Sequence, residues 1–216
     1  MIIDLKGDGE MLVKNIMLAK EKLITVSPKI TIGQALEIMS ENKFLSLPVV
    51  EGDKFYGAIS KDRIYEFYYE KCEDKQCFLS DFNVEVVMRK DIPTISPVEE
   101  MEKAVYFLEI MNISFVAVIN DKGDFEGILT HHAVFEQFTL LFGLNKGQRL
   151  AVMAYDVPGQ ISKLSNVLAE NNADIISFVV VDPKSVIDVM EIVVRMRTDN
   201  FELIEEKVKD LGFKII

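Results

Sequence analysis

GAISKDRIY, Gly57 to Tyr65, is followed about seventy positions later by GILTHHAVF, Gly127 to Phe135. Each reads glycine, two apolar residues, a hydroxyl (Ser60 or Thr130), then polar residues opening an apolar helical pattern. Working outward, the same offset recurs. Ile16-Met17 returns as Val87-Met88, and TVSP from Thr25 returns as TISP from Thr94. After each Ser-Pro comes an i, i+3, i+4, i+7 apolar stripe: Ile32, Ala35, Leu36, Met39, then Met101, Ala104, Val105, Leu108. Thr31 and Gln34 have the spacing of a capping box at the first helix start. The apolar runs LSLPVV from Leu45 and ISFVAVIN from Ile113 are of strand length, and turn residues carry each into a second strand that ends in the opening motif. Each copy therefore predicts β-α-β-β-α. One copy is too small and one-sided to bury its own stripe, so the two are expected to pack together.

Composition bounds the function classes. The chain has 216 residues, 49% hydrophobic and 27% charged, enough for real cores in two domains or one domain and a small module. A net charge of -11 repels a phosphate backbone, and no basic stripe offsets it, so nucleic acid is set aside as a partner. No apolar run is long enough to span a bilayer, and MIIDLKGDGE is too charged for a signal peptide, so no membrane partner and a cytoplasmic location are expected. Cys72 and Cys77 have neither histidine near them, too few ligands for zinc, and read as reduced structural thiols. No metal site, catalytic residue or cofactor fingerprint is found: G-x-S-x-G, H-E-x-x-H, the P-loop and the dinucleotide-binding glycines are all missing, and the chain is read as no enzyme.

The last third changes its pattern after LFGLNKG, a glycine-bearing connector from Leu141. A strand from Leu150 to Tyr155 leads through DVPG, from Asp156, to a helix carrying Ile161, Leu164, Val167 and Leu168. IISFVVV follows from Ile175. DVMEIVVRM, from Asp188, alternates, with Met190, Ile192, Val194 and Met196 on one face and Glu191 and Arg195 on a wet one. Asp199 or Asn200 then caps a helix that Gly212 stops before FKII. The order is βαββαβ, a ferredoxin-like plan.

The paired markers VKNIM, TVSP, LPVV, GAIS and VEVVM, TISP, GILT resemble two tandem CBS domains, a Bateman module, and D-x-P-G before QISKLSNVLAENNADI looks like an ACT domain. The order of modules, with F-x-x-F-x-x-x-F-G at Phe135 to Gly143, resembles AcuB-type acetoin-utilisation proteins. The expected fold class is α+β: an N-terminal extension (1–10), CBS repeats at 11–70 and 84–143 with a linker (71–83), a connector (144–147) and an ACT domain (148–216).

This resemblance implies a nucleotide cleft between the repeats, assigned to Thr25, Val26, Ser60, Lys61, Asp62, Arg63, Thr94, Ile95, Thr130, His131 and His132. The family's aspartate three residues after the hydroxyl is missing in both copies, where Arg63 and Ala133 stand, and Ser46 and Ser114 occupy positions often basic in the family. The set Lys61, Arg63, His131 and His132 beside a helix N-terminus therefore suits a phosphate-rich or cyclic adenine dinucleotide. The two histidines are read as a solvated turn whose side chains point apart. The resemblance also implies a small amino acid held through its carboxylate at the ACT dimer interface by Asp156, Pro158, Gly159, Gln160 and Ile161, with Pro158 and Gly159 opening the helix.

Two functions follow. One is a regulatory homodimer with an adenine nucleotide, and a small amino acid, as effectors and a protein target. The other is a ligand-free homodimeric scaffold with degenerate sites. The hydroxyl and basic set of Ser60, Arg63 and Thr130 is expected to discriminate, since a scaffold has no reason to keep it.

Overall fold

The structure, a computed structural model, describes residues 11–71, 75–184 and 188–216, with 75–77 described by backbone alone. The N-terminal extension, Cys72 and the Cys77 side chain lie outside the described residues. The chain divides into two compact units, 1–135 and 136–216.

The first unit opens with α1 (Val13–Ile16), β1 (Leu18–Ala19) and a 3-10 turn at Lys20–Lys22. Then come α2 (Ile32–Glu41), β2 (Ser46–Glu51), β3 (Lys54–Ser60) and α3 (Lys61–Lys71). Beyond α4 (Lys75–Asp81) the pattern repeats as α5 (Val84–Val87), β4 (Thr94–Ile95), α6 (Met101–Ile110), β5 (Phe115–Ile119), β6 (Phe125–Thr130) and α7 (His131–Leu141). The predicted helix stripes are buried: Ile32, Ala35 and Met39 on α2, Met101, Ala104 and Leu108 on α6. The capping box is complete, the Gln34 N–H donating to Thr31 Oγ1 at 3.2 Å and the Thr31 N–H to Gln34 Oε1 at 3.0 Å.

The two copies do not fold side by side as written; they exchange their lead-in segments. β1 belongs to the lead-in of the first copy but pairs with β6 of the second, Leu18 opposite Ile128 and Ala19 opposite Gly127, in a sheet of order β1-β6-β5-β4. The reciprocal exchange puts Arg89, from the lead-in of the second copy, against Ala58 on β3 of the first. Val26 completes that sheet by bridging Val49 in parallel, as Thr94 and Ile95 do against β5. The short helices cross over too. Backbone bonds join α1 to the turn before α6 (Val13 N–H to Glu99 O, 2.9 Å) and α5 to the turn before α2 (Val84 N–H to Ile30 O, 2.9 Å).

This exchange explains the repeated glycine. A β-carbon on Gly57 would lie 2.1 Å from the Arg89 oxygen, and one on Gly127 would lie 2.3 Å from the Leu18 oxygen. Each glycine pairs with the strand residue just before a register shift, Val49 or Val118, and the crossing backbone passes directly over it. Between the copies lies a shared core of Val50, Ala58, Phe115, Ala117, Phe125 and Ile128, with Phe55 and Phe125 stacked at 5.3 Å. Burying that apolar surface holds the pair together.

The second unit contains β7 (Gln148–Tyr155), α8 (Gln160–Glu170), β8 (Asp174–Val181), β9 (Val189–Arg197), α9 (Phe201–Asp210) and β10 (Lys214–Ile215). Its antiparallel sheet has the order β10-β7-β9-β8, the ferredoxin-like plan expected. Met190, Ile192, Val194 and Met196 are buried with Leu164, Leu168, Ile204 and Val208 from the two helices, while Glu191 and Arg195 stay half-buried on the opposite face. Asn200 is the residue before α9, and its side chain makes no capping bond.

Candidate functional site

A cleft of about 1340 Å³ lies between the two copies within the first unit. Its floor follows from the repeated motif. β3 and β6 end at Ser60 and Thr130, and the helices α3 and α7 start at the next residue, so both N-termini meet at the cleft. Converging N–H groups and helix dipoles favour an anion there. Lys43, Arg63, Arg89 and Lys90 add cationic groups, offset by Asp62, Glu66 and Asp91. Phe44, Leu45 and Ile113 supply apolar wall, and Leu45 is 74% exposed, an apolar side chain left for a ligand to cover.

Of the eleven residues assigned from sequence, the cleft gathers Ser60, Asp62, Arg63, Thr130, His131 and His132. Thr25, Val26, Lys61, Thr94 and Ile95 do not line it; Val26 and Ile95 are buried in their strand pairings. His131 and His132, both exposed, line the cleft from the first turn of α7. The strand frame also corrects one pairing. Ser46 stands opposite Ser60 while Phe115 stands opposite Thr130, so the counterpart of Ser114 is Leu45.

The hydroxyls have structural work. Ser60 Oγ accepts the Arg63 N–H at 3.2 Å, and Thr130 Oγ1 accepts the Ala133 N–H at 3.2 Å. Both are helix N-caps, which a scaffold also needs, so their presence does not discriminate between the two functions.

Sequence reasoning missed Arg89, Lys90 and Asp91. The signal was a break in the repeat: where Leu18, Ala19 and Lys20 follow Met17, the second copy has Arg89, Lys90 and Asp91 after Met88. Arg89 donates from Nε to Asp91 Oδ1 at 2.9 Å and from Nη2 to Oδ2 at 3.1 Å. Its Nη1 reaches the carbonyls of Met111 and Asn112 at 3.4 and 3.2 Å. The hydrogen bond to Asp91 raises the guanidinium further above its usual range, and the bond from Arg89 holds the Asp91 carboxyl below the ordinary carboxylate range. Arg63 Nη1 stands 3.4 Å from Glu66 Oε2, whereas Lys43 and Lys90 form no ion pair among the described residues.

In the second unit the turn Asp156 to Ile161 is exposed apart from half-buried Gln160. Gly159 is the residue before α8, left-handed at φ 94°, and Pro158 stands one place further out, so the proline precedes the cap instead of opening the helix. A neighbouring hollow of about 390 Å³ takes in Asp156 with Val180, Val181, Asp182, Lys184 and Asp188 to Met190; the other four assigned residues do not line it. Among the described residues no group of three or more His, Cys, Asp or Glu could hold a metal ion, and no helix is long and apolar enough to cross a membrane.

Two β-α-β-β-α repeats that exchange their lead-in segments around a shared cleft define a tandem-repeat module. The chain belongs to the CBS-domain family: CBS domain models match residues 13–70 and 83–139, together more than half of it. An ACT domain model matches residues 149–213. Both are regulatory modules rather than catalytic ones. The chain is 28% identical over 141 residues to cyclic di-AMP receptor B of Bacillus subtilis, covering 63% of this chain and 93% of that protein. It is 28% identical over 125 residues to an uncharacterized protein of Methanocaldococcus jannaschii, 53% of this chain and 45% of the relative. The chain spans less than half the length of the first curated relatives it matches. A solved structure of a hypothetical conserved protein from Geobacillus kaustophilus is 30% identical, with TM-score 0.53 over 60% of this chain and 96% of that one.

Proposed function

We propose that this chain is a ligand-sensing regulatory protein whose CBS cleft binds an adenine nucleotide, cyclic or otherwise phosphate-rich. The observation that carries this reading is the meeting of the α3 and α7 N-termini at a cleft lined by Lys43, Arg63 and Lys90, with uncovered apolar wall at Phe44 and Leu45. An anionic group fits the first feature and a base the second. Likeness to the Bacillus subtilis cyclic di-AMP receptor over 93% of its length supports a dinucleotide. Ser60, Asp62, Arg63, Thr130, His131 and His132 are the proposed contacts. A small amino acid at the turn Asp156 to Ile161, and association into a homodimer that presents itself to a protein target, complete the reading. A role like that of AcuB-type acetoin-utilisation proteins rests on module order alone.

The second reading, a ligand-free homodimeric scaffold, is favoured by the capping role of Ser60 and Thr130 and by the internal pairing of Arg89. Calorimetric titration of the full chain with cyclic di-AMP, AMP and ATP, and with common amino acids, decides between them. Saturable binding of an adenine nucleotide that weakens in Arg63→Ala supports the sensor. No binding by any of the nucleotides supports the scaffold.

A further inference from the structure

Arg89 is the most firmly placed cation of the cleft. The exchange of lead-in segments fixes its backbone on β3, its N–H donating to the Ala58 oxygen at 2.8 Å and its oxygen accepting from the Ala58 N–H at 2.9 Å. Its Nη1 sits on the carbonyls of Met111 and Asn112, just past the end of α6, and the Nε/Nη2 edge is filled by both oxygens of Asp91. That edge is the fork with which a guanidinium grips a phosphate in two parallel bonds. Arg89 therefore lines an anion-favouring cleft with its anion-binding edge already taken by a carboxylate of the same chain. The two partners differ in access: the Arg89 side chain is 35% exposed and that of Asp91 is 72% exposed. Asp91 is the outer member and can swing away while Arg89 stays anchored.

We infer that Asp91 is a built-in counter-ion that an incoming anion must displace from Arg89, and that it thereby sets which anions the cleft accepts. A monoanionic carboxylate offers Arg89 no more than Asp91 does, and its binding gains nothing from the exchange. A diphosphate, or a cyclic dinucleotide with its two phosphodiesters, brings at least two charges on one ligand, so that it can meet Arg89 and also engage Lys43, Lys90 or the helix N-termini, and does displace it. This inference rests on the anion-binding reading of the cleft but not on the adenine base.

The test uses the full chain, titrated calorimetrically with pyrophosphate, ATP, cyclic di-AMP and acetate. Asp91→Asn is expected to tighten pyrophosphate and the nucleotides about fivefold, the upper end of what an exposed ion pair is worth. Asp53→Asn removes the same charge outside the cleft, where Asp53 pairs with Lys20, and is expected to change affinity less than twofold. The gain from Asp91→Asn should vanish in Arg89→Lys, which keeps the charge and loses the fork; thermal denaturation checks that each variant is folded. Equal gains from Asp91→Asn and Asp53→Asn, or a gain that survives Arg89→Lys, overturn the inference, as does selective tightening of acetate. An Arg89-dependent gain for pyrophosphate with no binding of either nucleotide leaves the inference standing and removes the adenine reading. If no probe binds wild type or Asp91→Asn, both fall.

Discussion

The main-chain oxygen of Arg89 stands 2.1 Å from the place a β-carbon on Gly57 would occupy, so the first repeat's glycine is fixed by a residue from the lead-in of the second repeat. Gly57→Ala and Gly127→Ala, whose β-carbons would meet crossing backbone, are each expected to destabilise the fold by about 2–3 kcal/mol. Gly52→Ala and Gly123→Ala, at left-handed turns with nothing within 4 Å, should cost only the backbone strain of about 1 kcal/mol. Urea unfolding of the four variants checks the ranking.

Loss of an N-cap should register as stability, whatever the cleft binds. Ser60→Ala and Thr130→Ala are expected to cost about 1 kcal/mol each. Ser60→Asp keeps a capping oxygen, so it should hold its stability while weakening any anion in the cleft. Equal thermal midpoints for Ser60→Ala and wild type would contradict the capping role.

Ligand affinity should rank the two copies unequally. Arg63 brings a guanidinium to the cleft where the second copy has Ala133, so Arg63→Ala is expected to weaken a bound nucleotide about tenfold, a loss of roughly 1.5 kcal/mol. Thr130→Ala should weaken it less, and a larger loss from Thr130→Ala would reverse the ranking.

Two exposed pairs should answer to pH in opposite directions. The Asp91 carboxyl is held low by Arg89, so its contribution is present above the ordinary carboxylate range and fades as pH falls through the lowered value. Lys29 is raised above 10.5 by its bond to Glu51, so its contribution is full below 10.5 and fades as pH rises through the raised value. The stability gap between wild type and Asp91→Asn should therefore close on acidification. The gap to Glu51→Gln should close in strong alkali.

Association is expected to run through the second unit's edge strand. β8 lies at the margin of its sheet and leaves Ile175, Val180 and Val181 exposed, an apolar edge, unpaired among the described residues, of the kind that invites a second strand. Sedimentation at micromolar concentration should give a dimer, and Val180→Lys should shift it toward monomer.

The helix stripes and the Thr31–Gln34 box were legible because period and capping are local properties, set within four residues. The exchange of Leu18 and Arg89 was not. Repetition reveals that two segments are alike but not which copy each pairs with, and only packing decides that. The cleft was half legible for a related reason. Ser60, Arg63 and Thr130 sit inside the repeated motif, and there they double as caps. Arg89 and Asp91 lie just where the two copies stop resembling each other, and a search for likeness passes over them.

The crossing of lead-in segments also dictates an order of events as the chain leaves the ribosome. The first copy cannot close its sheet until Arg89 has emerged, and Leu18, made early, must wait for Ile128 before it has a strand to join. Val13 to Ala19 thus find their place only once the second copy has been made. For the same reason neither copy completes its sheet alone: what closes as a folding whole is the pair.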